Sequence, residues 1–161
     1  MQPRSKMLLA AAGVLTVLLI VYIIATRPGP SDNELIAAQT ETLRTAAERH
    51  SVSQVMSVVS AEYHDSMLSN TDQLNFFLRR VVGQAGPVTV QFDNPIVTIE
   101  GDTAISRGHL RAVSNQGGGV LTDQDVTLHW KRETGHKLLV FPTPVWRLTN
   151  AEYQAPGMGG E

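Results

Sequence analysis

The sequence contains no cysteine, and this absence excludes several classes of protein. Disulfide bonds, thiol catalysis, lipoprotein acylation and cysteine-ligated zinc all require a cysteine side chain. Charged residues are also few, at 17% of the 161 residues, whereas hydrophobic residues make up 42%. This balance is typical of a chain that folds around a core and differs from that of a disordered protein. The fold must therefore depend on packing and hydrogen bonds rather than on covalent crosslinks.

The charges are unevenly distributed along the chain. The net charge is −2, yet residues 1–30 carry three cations, Arg4, Lys6 and Arg27, and no acid. The remainder is therefore net acidic. Because an acidic surface repels phosphates, we expect no nucleic-acid partner.

The N-terminal residues form one long uncharged run. Residues 7–26 read MLLAAAGVLTVLLIVYIIAT, a length that spans the hydrocarbon core of a bilayer as a helix. Arg4 and Lys6 precede it, so the positive-inside rule predicts a cytoplasmic N-terminus and an extracytoplasmic C-terminal domain. We expect a single-pass signal-anchor in the inner or plasma membrane, comprising a cytoplasmic tip, this helix and a short linker within residues 1–30.

Two other interpretations of this run are weaker. A cleaved signal peptide has a shorter apolar region followed by small residues at the cleavage site, and no A-x-A pattern ends this run. A helix that packs against the core of a small domain keeps one polar face toward water, whereas this run is apolar all round and ends in Pro28-Gly29-Pro30. An uncleaved anchor is the favoured interpretation.

Helical periodicity fills the first part of the remaining chain. Apolar residues at helical spacing predict a first helix over roughly residues 32–49. A second helix is predicted to begin at Ser51, with an apolar stripe that continues to Tyr63. A third is predicted to begin at Asn70 and to end at the Gly86-Pro87 pair.

After Pro87 the apolar period changes from 3.6 to 2. We predict strands over 88–92, 96–100, 103–114, 120–131 and 138–148, with a turn at 93–95 and hairpins at 101–102 and 133–136. The side chains predicted to face inward are Ala104, Ser106, Gly108, Leu110, Ala112, Val126, Leu128 and Trp130. The expected class is α+β: an N-terminal transmembrane helix, then three helices packed on a curved antiparallel sheet. The domain covers residues 31–150, and residues 151–161 form a flexible tail.

Four short segments carry a resemblance to a known superfamily. Residues 62–65, 101–104, 130–135 and 145–147, in this order of helices and strands, resemble the nuclear-transport-factor-two-like superfamily, also called SnoaL-like or cystatin-like, over about residues 32–150. The resemblance implies a cone in which helices close one side of a bent sheet around a pocket. Some members are isomerases, cyclases or dehydratases, whereas others bind, scaffold or dimerise, so the fold leaves the function open. Pro142 and Pro144 depart from the pattern and predict a bulge or an unpaired edge in the last strand.

The resemblance also implies a weak pair of catalytic candidates, Asp65 and Tyr63. In isomerase-like members an acid near this position acts as a base, and a pocket tyrosine can stabilise an oxyanion. The alternative is structural: Tyr63 packs in the core and Asp65 caps a turn. The inward strand positions are apolar or small, which favours the structural alternative.

Five cations alternate onto one face of two neighbouring predicted strands, and they are candidates for binding a partner: Arg107, His109, Arg111, His129 and Lys131. Such a patch could bind an acidic protein or a lipid headgroup. The alternative is the solvated face of a half-buried sheet. Asp123 and Asp125 lie close by and dilute the positive charge.

No motif indicates a metal or a cofactor. The five histidines have no compact ligand spacing, and Gly117-Gly118-Gly119 lacks the lysine and hydroxyl residue of a phosphate-binding loop.

The leading hypothesis is a membrane-anchored, non-enzymatic binding or assembly module, whose partner is a second copy or an envelope protein. The alternative is a small-molecule-binding domain with an unknown ligand, or a SnoaL-like isomerase or cyclase that uses Asp65 and Tyr63. An enzyme needs several polar groups that converge in its pocket, and this requirement distinguishes the two hypotheses.

Overall fold

The computed structural model describes residues 16, 19, 22, 29–84, 86–137 and 141–153. The described residues from Asp32 onward form one compact unit. The predicted transmembrane helix over 7–26 and most of the predicted tail lie outside the described residues. In the described part of the chain, no helix combines the length and the apolar character that crossing a bilayer requires.

The three predicted helices of the domain are present. They are α1 (Asp32–Glu48), α2 (Val52–Val58) and α3 (Thr71–Gln84). Asn70 caps the start of α3, because its side-chain oxygen accepts a hydrogen bond from the Gln73 amide at 2.9 Å.

Helix α2 is shorter than its apolar stripe predicts. It ends at Val58, and Val59 adopts an extended conformation. The Ser60 amide donates to the Leu148 carbonyl at 2.9 Å, so this segment pairs with the last strand instead of continuing the helix. Tyr63 therefore lies on an irregular segment beyond the helix.

Four strands form one antiparallel sheet in chain order. They are β1 (Val88–Glu100), β2 (Thr103–Ser114), β3 (Val120–Lys137) and β4 (Phe141–Tyr153). The predicted β1–β2 hairpin is confirmed: Gly101 has φ +61°, a conformation that glycine adopts without steric cost. The domain is thus an α+β fold with three helices on an antiparallel sheet.

Two predicted turns prove to be strand. The predicted turn at residues 93–95 is a register shift inside the continuous strand β1, because β2 pairs with residues on both sides of it. The predicted hairpin at residues 133–136 is wrong as well, since Thr134 and Gly135 pair with Pro144 and Thr143 of β4. Long strands thus override local turn propensity at both places.

Strand β4 lies at the edge of the sheet, which agrees with the expectation from its two prolines. The register shift between β3 and β4 lies at His129 and Trp130, away from those prolines.

The predicted strand parity is confirmed. Ala104, Ser106, Val126 and Trp130 are buried on the inner face of the sheet. Trp130 donates its indole N–H to the Ser106 hydroxyl at 2.8 Å, which satisfies both buried polar groups.

Asp32 joins the start of α1 to the sheet. Its Oδ1 accepts a hydrogen bond from the buried Trp146 indole at 3.0 Å, and its Oδ2 binds the Arg132 guanidinium. That guanidinium lies 5.0 Å from the centre of the Trp146 ring. The Asp32 carboxylate therefore binds two side chains of the sheet at once, and these contacts hold the N-terminal end of α1 against the core.

Candidate functional site

The weak catalytic candidates lie together, yet their polar groups are occupied. The Tyr63 hydroxyl donates to Asp65 Oδ2 at 2.7 Å. Asp65 Oδ1 accepts from the amides of Met67 and Leu68 at 2.7 and 2.6 Å. Asp65 therefore caps a turn, as the structural alternative predicts.

Burial and the Asp65 carboxylate both favour the neutral phenol of Tyr63. Burial is the larger cause and the hydrogen bond to Asp65 the next, and together they raise the pKa of Tyr63 far above its usual value. The phenol thus remains protonated as a donor to Asp65. Neither residue lines the apolar cavity of about 480 Å³ that lies between the helices and the sheet.

The candidate partner-binding residues lie on the outer face of the sheet, opposite the helices. Four of these five cations contact acids of the same domain. His109 lies between Asp125 and Asp123, at 2.9 and 2.5 Å. These two hydrogen bonds, that of Asp125 first, raise the pKa of His109 above its usual value.

The other pairs have a similar arrangement. Arg111 lies 3.7 Å from Asp123, His129 contacts Glu152 at 2.9 Å, and Lys131 contacts Glu62 at 2.6 Å. In the described part of the chain, Arg107 alone of the five makes no such pair. Exposed pairs contribute little to stability, but they balance the charge of this face. The patch is consequently less basic than the sequence suggests.

A cleft of about 440 Å³ with a mixed polar and apolar lining adjoins two of these cations. Its walls include His129 and Lys131 of the sheet and Glu62 and His64 of the irregular segment after α2. The Lys131–Glu62 pair spans this cleft and lowers the pKa of Glu62.

A larger cavity of about 480 Å³ lies between the three helices and the inner face of the sheet. Its walls come from the C-terminal half of α1, from α2, α3 and all four strands. The apolar residues that line it are Leu43, Ala46, Ala47, Val52, Val55, Leu78, Val81, Val82, Val88, Val90, Phe92, Leu110, Ala112, Leu121, Val126, Leu128 and Ala151. Val81 and Leu121 are 42% and 56% exposed, so the cavity has an opening beside them.

Four polar residues complete the lining, and three of them have partners. Thr40 donates to the Ile36 carbonyl at 2.9 Å, and Ser51 lies 3.4 Å from the Ser53 hydroxyl. Arg44 binds Glu41 at 2.6 Å and Glu48 at 2.8 Å. The fourth, His50, has a ring Nε2 that is shielded from solvent and has no hydrogen-bond partner.

The lining of this cavity is almost entirely apolar. The described residues place no acid–base pair inside the cavity and contain no cluster of side chains able to hold a metal ion. Of the strand residues in the wall, Leu110, Ala112, Val126 and Leu128 are predicted by their parity to face inward. Ala151 is predicted to lie in the flexible tail, which is wrong, because the last strand continues to Tyr153. His50 continues the apolar face that predicts the first helix, but the lack of a hydrogen-bond partner for its Nε2 could not be read from the sequence.

Comparisons with known proteins support the fold. No family model and no curated protein match the sequence. Among solved structures, an NTF2-like protein of unknown function from Pseudomonas putida has a TM-score of 0.63 at 14% identity, covering 80% of this chain and 90% of that one. A cystatin-like protein of unknown function from Nostoc punctiforme has a TM-score of 0.62 at 11% identity, covering 82% and 98%.

A third solved structure of this fold has a suggested activity. It is a putative dehydratase of the NTF2-like family from Streptomyces avermitilis, with a TM-score of 0.56 at 15% identity, covering 74% of this chain and 92% of that one. At such identities the likeness shows the fold alone, which is the NTF2-like, or cystatin-like, fold.

Proposed function

We propose that this NTF2-like domain is a non-catalytic binding module that takes up an apolar ligand in the cavity between its helices and its sheet. The observation that carries the proposal is the cavity itself, with a volume of about 480 Å³ and seventeen apolar residues in its lining. Small-molecule sites typically have volumes of about 300–1,000 Å³ and walls that are mostly apolar. Water inside such walls finds few hydrogen-bond partners, so an apolar molecule replaces it favourably.

The positions of the acids favour binding over turnover. Catalysis by this fold would require polar groups that converge on a bound substrate. Asp65 is the acid that the enzymatic alternative would use, and it caps a turn outside the cavity. Glu41 and Glu48 are paired with Arg44. The dehydratase activity suggested for the Streptomyces protein is therefore not our proposal for this chain.

Photolabelling tests the proposal. We expect a decane that carries a photoreactive diazirine to label the cavity walls of the full-length chain in lipid nanodiscs. Replacing Ala112 with phenylalanine puts a ring into the cavity and should lower this labelling more than ten-fold. Mass spectrometry of the labelled peptides gives the measurement.

The control is a phenylalanine on the opposite face of a neighbouring strand. Gln91 is exposed and pairs with Arg111, so Gln91→Phe leaves the cavity open. Its labelling should match that of the parent chain. Equal labelling of the Ala112→Phe variant and the parent would contradict the proposal.

We also propose that residues 7–26 anchor the domain to the inner or plasma membrane, with the domain on the extracytoplasmic side. The uncharged run and the two preceding cations support this arrangement. A reporter that is active only outside the cytoplasm, fused after Glu161, should therefore be active. N-terminal sequencing should find Met7 retained. If a reporter that functions only in the cytoplasm is active in the same fusion, the proposed orientation is wrong. If the mature N-terminus lies near Pro28, the segment is cleaved and the proposed anchor is wrong.

The outer face of the sheet supports a second proposal, self-association. Arg107 lacks an acidic partner among the described residues, and Ile96, its cross-strand neighbour, is 74% exposed. An exposed apolar side chain beside an unpaired cation fits a contact with the acidic surface of a second copy. Membrane tethering would raise the effective concentration of copies and let a weak contact suffice.

Charge reversal tests this contact. Arg107→Glu should weaken self-association of the full-length chain in detergent, measured by sedimentation. Arg80→Glu, a reversal on the exposed face of α3, should leave it unchanged. A parent chain that sediments as a monomer at every concentration contradicts the second proposal.

A further inference from the structure

Helix α3 has an apolar outer surface in addition to the surface that packs on the domain. Leu74 is buried in the core, and Leu78 and Val82 line the cavity. On the other side of the helix, Phe76 is 71% exposed and Phe77 is 44% exposed. A helix at the surface of a small domain normally has a polar outer face, so two adjacent exposed phenylalanines indicate a contact surface.

Two arginines lie beside Phe76 on this outer surface. Arg79 and Arg80 follow it by three and four residues, the spacing at which the side chains of a helix are neighbours. Both are exposed, and neither contacts a carboxylate among the residues that the structure describes; Arg79 donates to the Asn75 side chain at 3.0 Å. Asp72 is the single acid of α3, so this helix is net positive within a net acidic domain. The surface therefore suits an anionic partner.

The same surface extends to the opening of the cavity. Val81 follows Phe77 by one helical turn, and it belongs both to the cavity wall and to the exposed surface. Across the opening, Val120 and Leu121 of β3 are each more than half exposed, and Leu121 lines the cavity. A protein seated on this surface would obstruct the opening. A lipid surface would instead supply apolar molecules to it.

The proposed anchor keeps a bilayer close to the domain. Residues 27–31 separate the apolar run from Asp32, the first residue of α1. Even fully extended, this linker spans only about 20 Å, which limits the distance between the start of α1 and the bilayer. Such tethering raises the effective concentration of lipid headgroups at the domain surface, so a small patch suffices for docking.

We infer that the outer surface of α3, formed by Phe76, Phe77, Arg79 and Arg80, docks on the headgroup region of an anionic bilayer. The two rings enter the boundary between headgroups and acyl chains, and the two guanidinium groups bind lipid phosphates. The inference rests on the proposed anchor, and it adds an interaction surface to the proposed ligand binding. Docking of α3 brings the opening of the cavity close to the bilayer, from which an apolar ligand enters.

Quenching of tryptophan fluorescence by brominated lipids tests the docking. The two tryptophans of the chain, Trp130 and Trp146, are buried, so these lipids should leave their emission unchanged. Phe76→Trp adds one tryptophan at the docking surface and keeps an aromatic ring there. The full-length variant is placed in nanodiscs of phosphatidylcholine with about one-third phosphatidylglycerol, at one chain per disc. Lipids brominated close to the headgroup should lower the added emission about two-fold or more.

Two controls make the result specific. Gln91→Trp places the added tryptophan on the exposed outer face of β1, opposite the helices, and its emission should remain unquenched. In the Phe76→Trp chain, replacing Arg79 and Arg80 with glutamine should abolish most of the quenching, as should nanodiscs of phosphatidylcholine alone. Replacing Arg107 and Arg111 with glutamine removes the same charge from the outer face of the sheet, and the quenching should persist.

Each other outcome overturns a defined part of the argument. A chain that does not copurify with the nanodiscs contradicts the anchor together with this inference. A chain that copurifies while its added tryptophan at α3 is unquenched overturns the docking alone, and a protein is then the better candidate to cover α3. Equal quenching in neutral and anionic nanodiscs overturns the role of Arg79 and Arg80. Failure of the decane label to enter the cavity overturns the proposed ligand binding and leaves the docking intact.

Discussion

Replacing Trp130 with alanine is expected to lower the free energy of unfolding by about 3–5 kcal/mol. Trp130 is 1% exposed and packs in the main core with Trp146, Ala104 and Leu148. Truncation removes its dispersion contacts, leaves a void and removes the donor to the Ser106 hydroxyl. Urea unfolding monitored by circular dichroism measures the loss.

Two other substitutions separate the contributions. Trp130→Phe keeps most of the ring volume and removes the hydrogen bond to Ser106, so it should cost less than Trp130→Ala. Ile96→Ala truncates a side chain that is 74% exposed, and it should change stability by less than about 0.5 kcal/mol. A Trp130→Ala variant that unfolds like the parent would mean that the inner and outer faces of β3 are exchanged.

Asp32→Ala is expected to lower the free energy of unfolding by about 2–3 kcal/mol. The substitution leaves the buried Trp146 indole N–H without an acceptor and the Arg132 guanidinium without its carboxylate. Hydrogen bonds to charged groups are among the stronger ones, and Asp32 is only half-buried, which moderates the loss. The measurement is the same urea titration.

A second aspartate controls for the general effect of an acid in the first turn of a helix. Asp72 lies in the first turn of α3 and is exposed, as Asp32 lies in the first turn of α1. Asp72→Ala should cost no more than about 1 kcal/mol, the usual size of a helix-dipole interaction. If the two variants lose equal stability, the contacts of Asp32 with Trp146 and Arg132 contribute nothing beyond the helix dipole.

The sequence predicts much of this fold because its signals are periodic. Alternation in β2 and β3 correctly places Ser106 and Trp130 inward and Arg107 and His129 outward. Helical spacing gives all three helices of the domain, and the Gly101-Asp102 pair gives a hairpin. The alternation and the helical spacing arise because one face of each strand or helix is buried, and the domain does bury one face of each.

The errors have a shared physical origin in pairing between distant segments. Residues 93–95 and 133–136 have turn composition, yet β2 pairs with Asp93 and Ile96 around the first segment, and β4 pairs with the second segment itself. Val59 continues a helical stripe, yet its neighbour Ser60 bonds to Leu148, far along the chain. Local sequence contains no information about such partners.

The candidate sites could be predicted only in part for the same reason. The cations of the outer face are where parity predicts, and Asp123 and Asp125 offset the charge of His109 and Arg111 as their positions suggest. The neutralisation of His129 and Lys131 depends on Glu152 and Glu62, which come from other elements. The cavity depends on how far the helices stand from the sheet. Spacing of this kind is a property of packing, and no single residue indicates it.

The pairing of residues 59–64 with β4 bears on how copies of this protein can associate. Unpaired strand edges invite edge-to-edge aggregation and sheet extension between molecules. At β4 the amides of Ser60 and His64 donate to the carbonyls of Leu148 and Thr149, which occupies that edge. At β1 the Glu48 carboxylate accepts from the Val90 amide, and the register shift breaks the regular edge. Where copies are concentrated, the occupied edges therefore favour reversible face-to-face contacts over continuous intermolecular sheets.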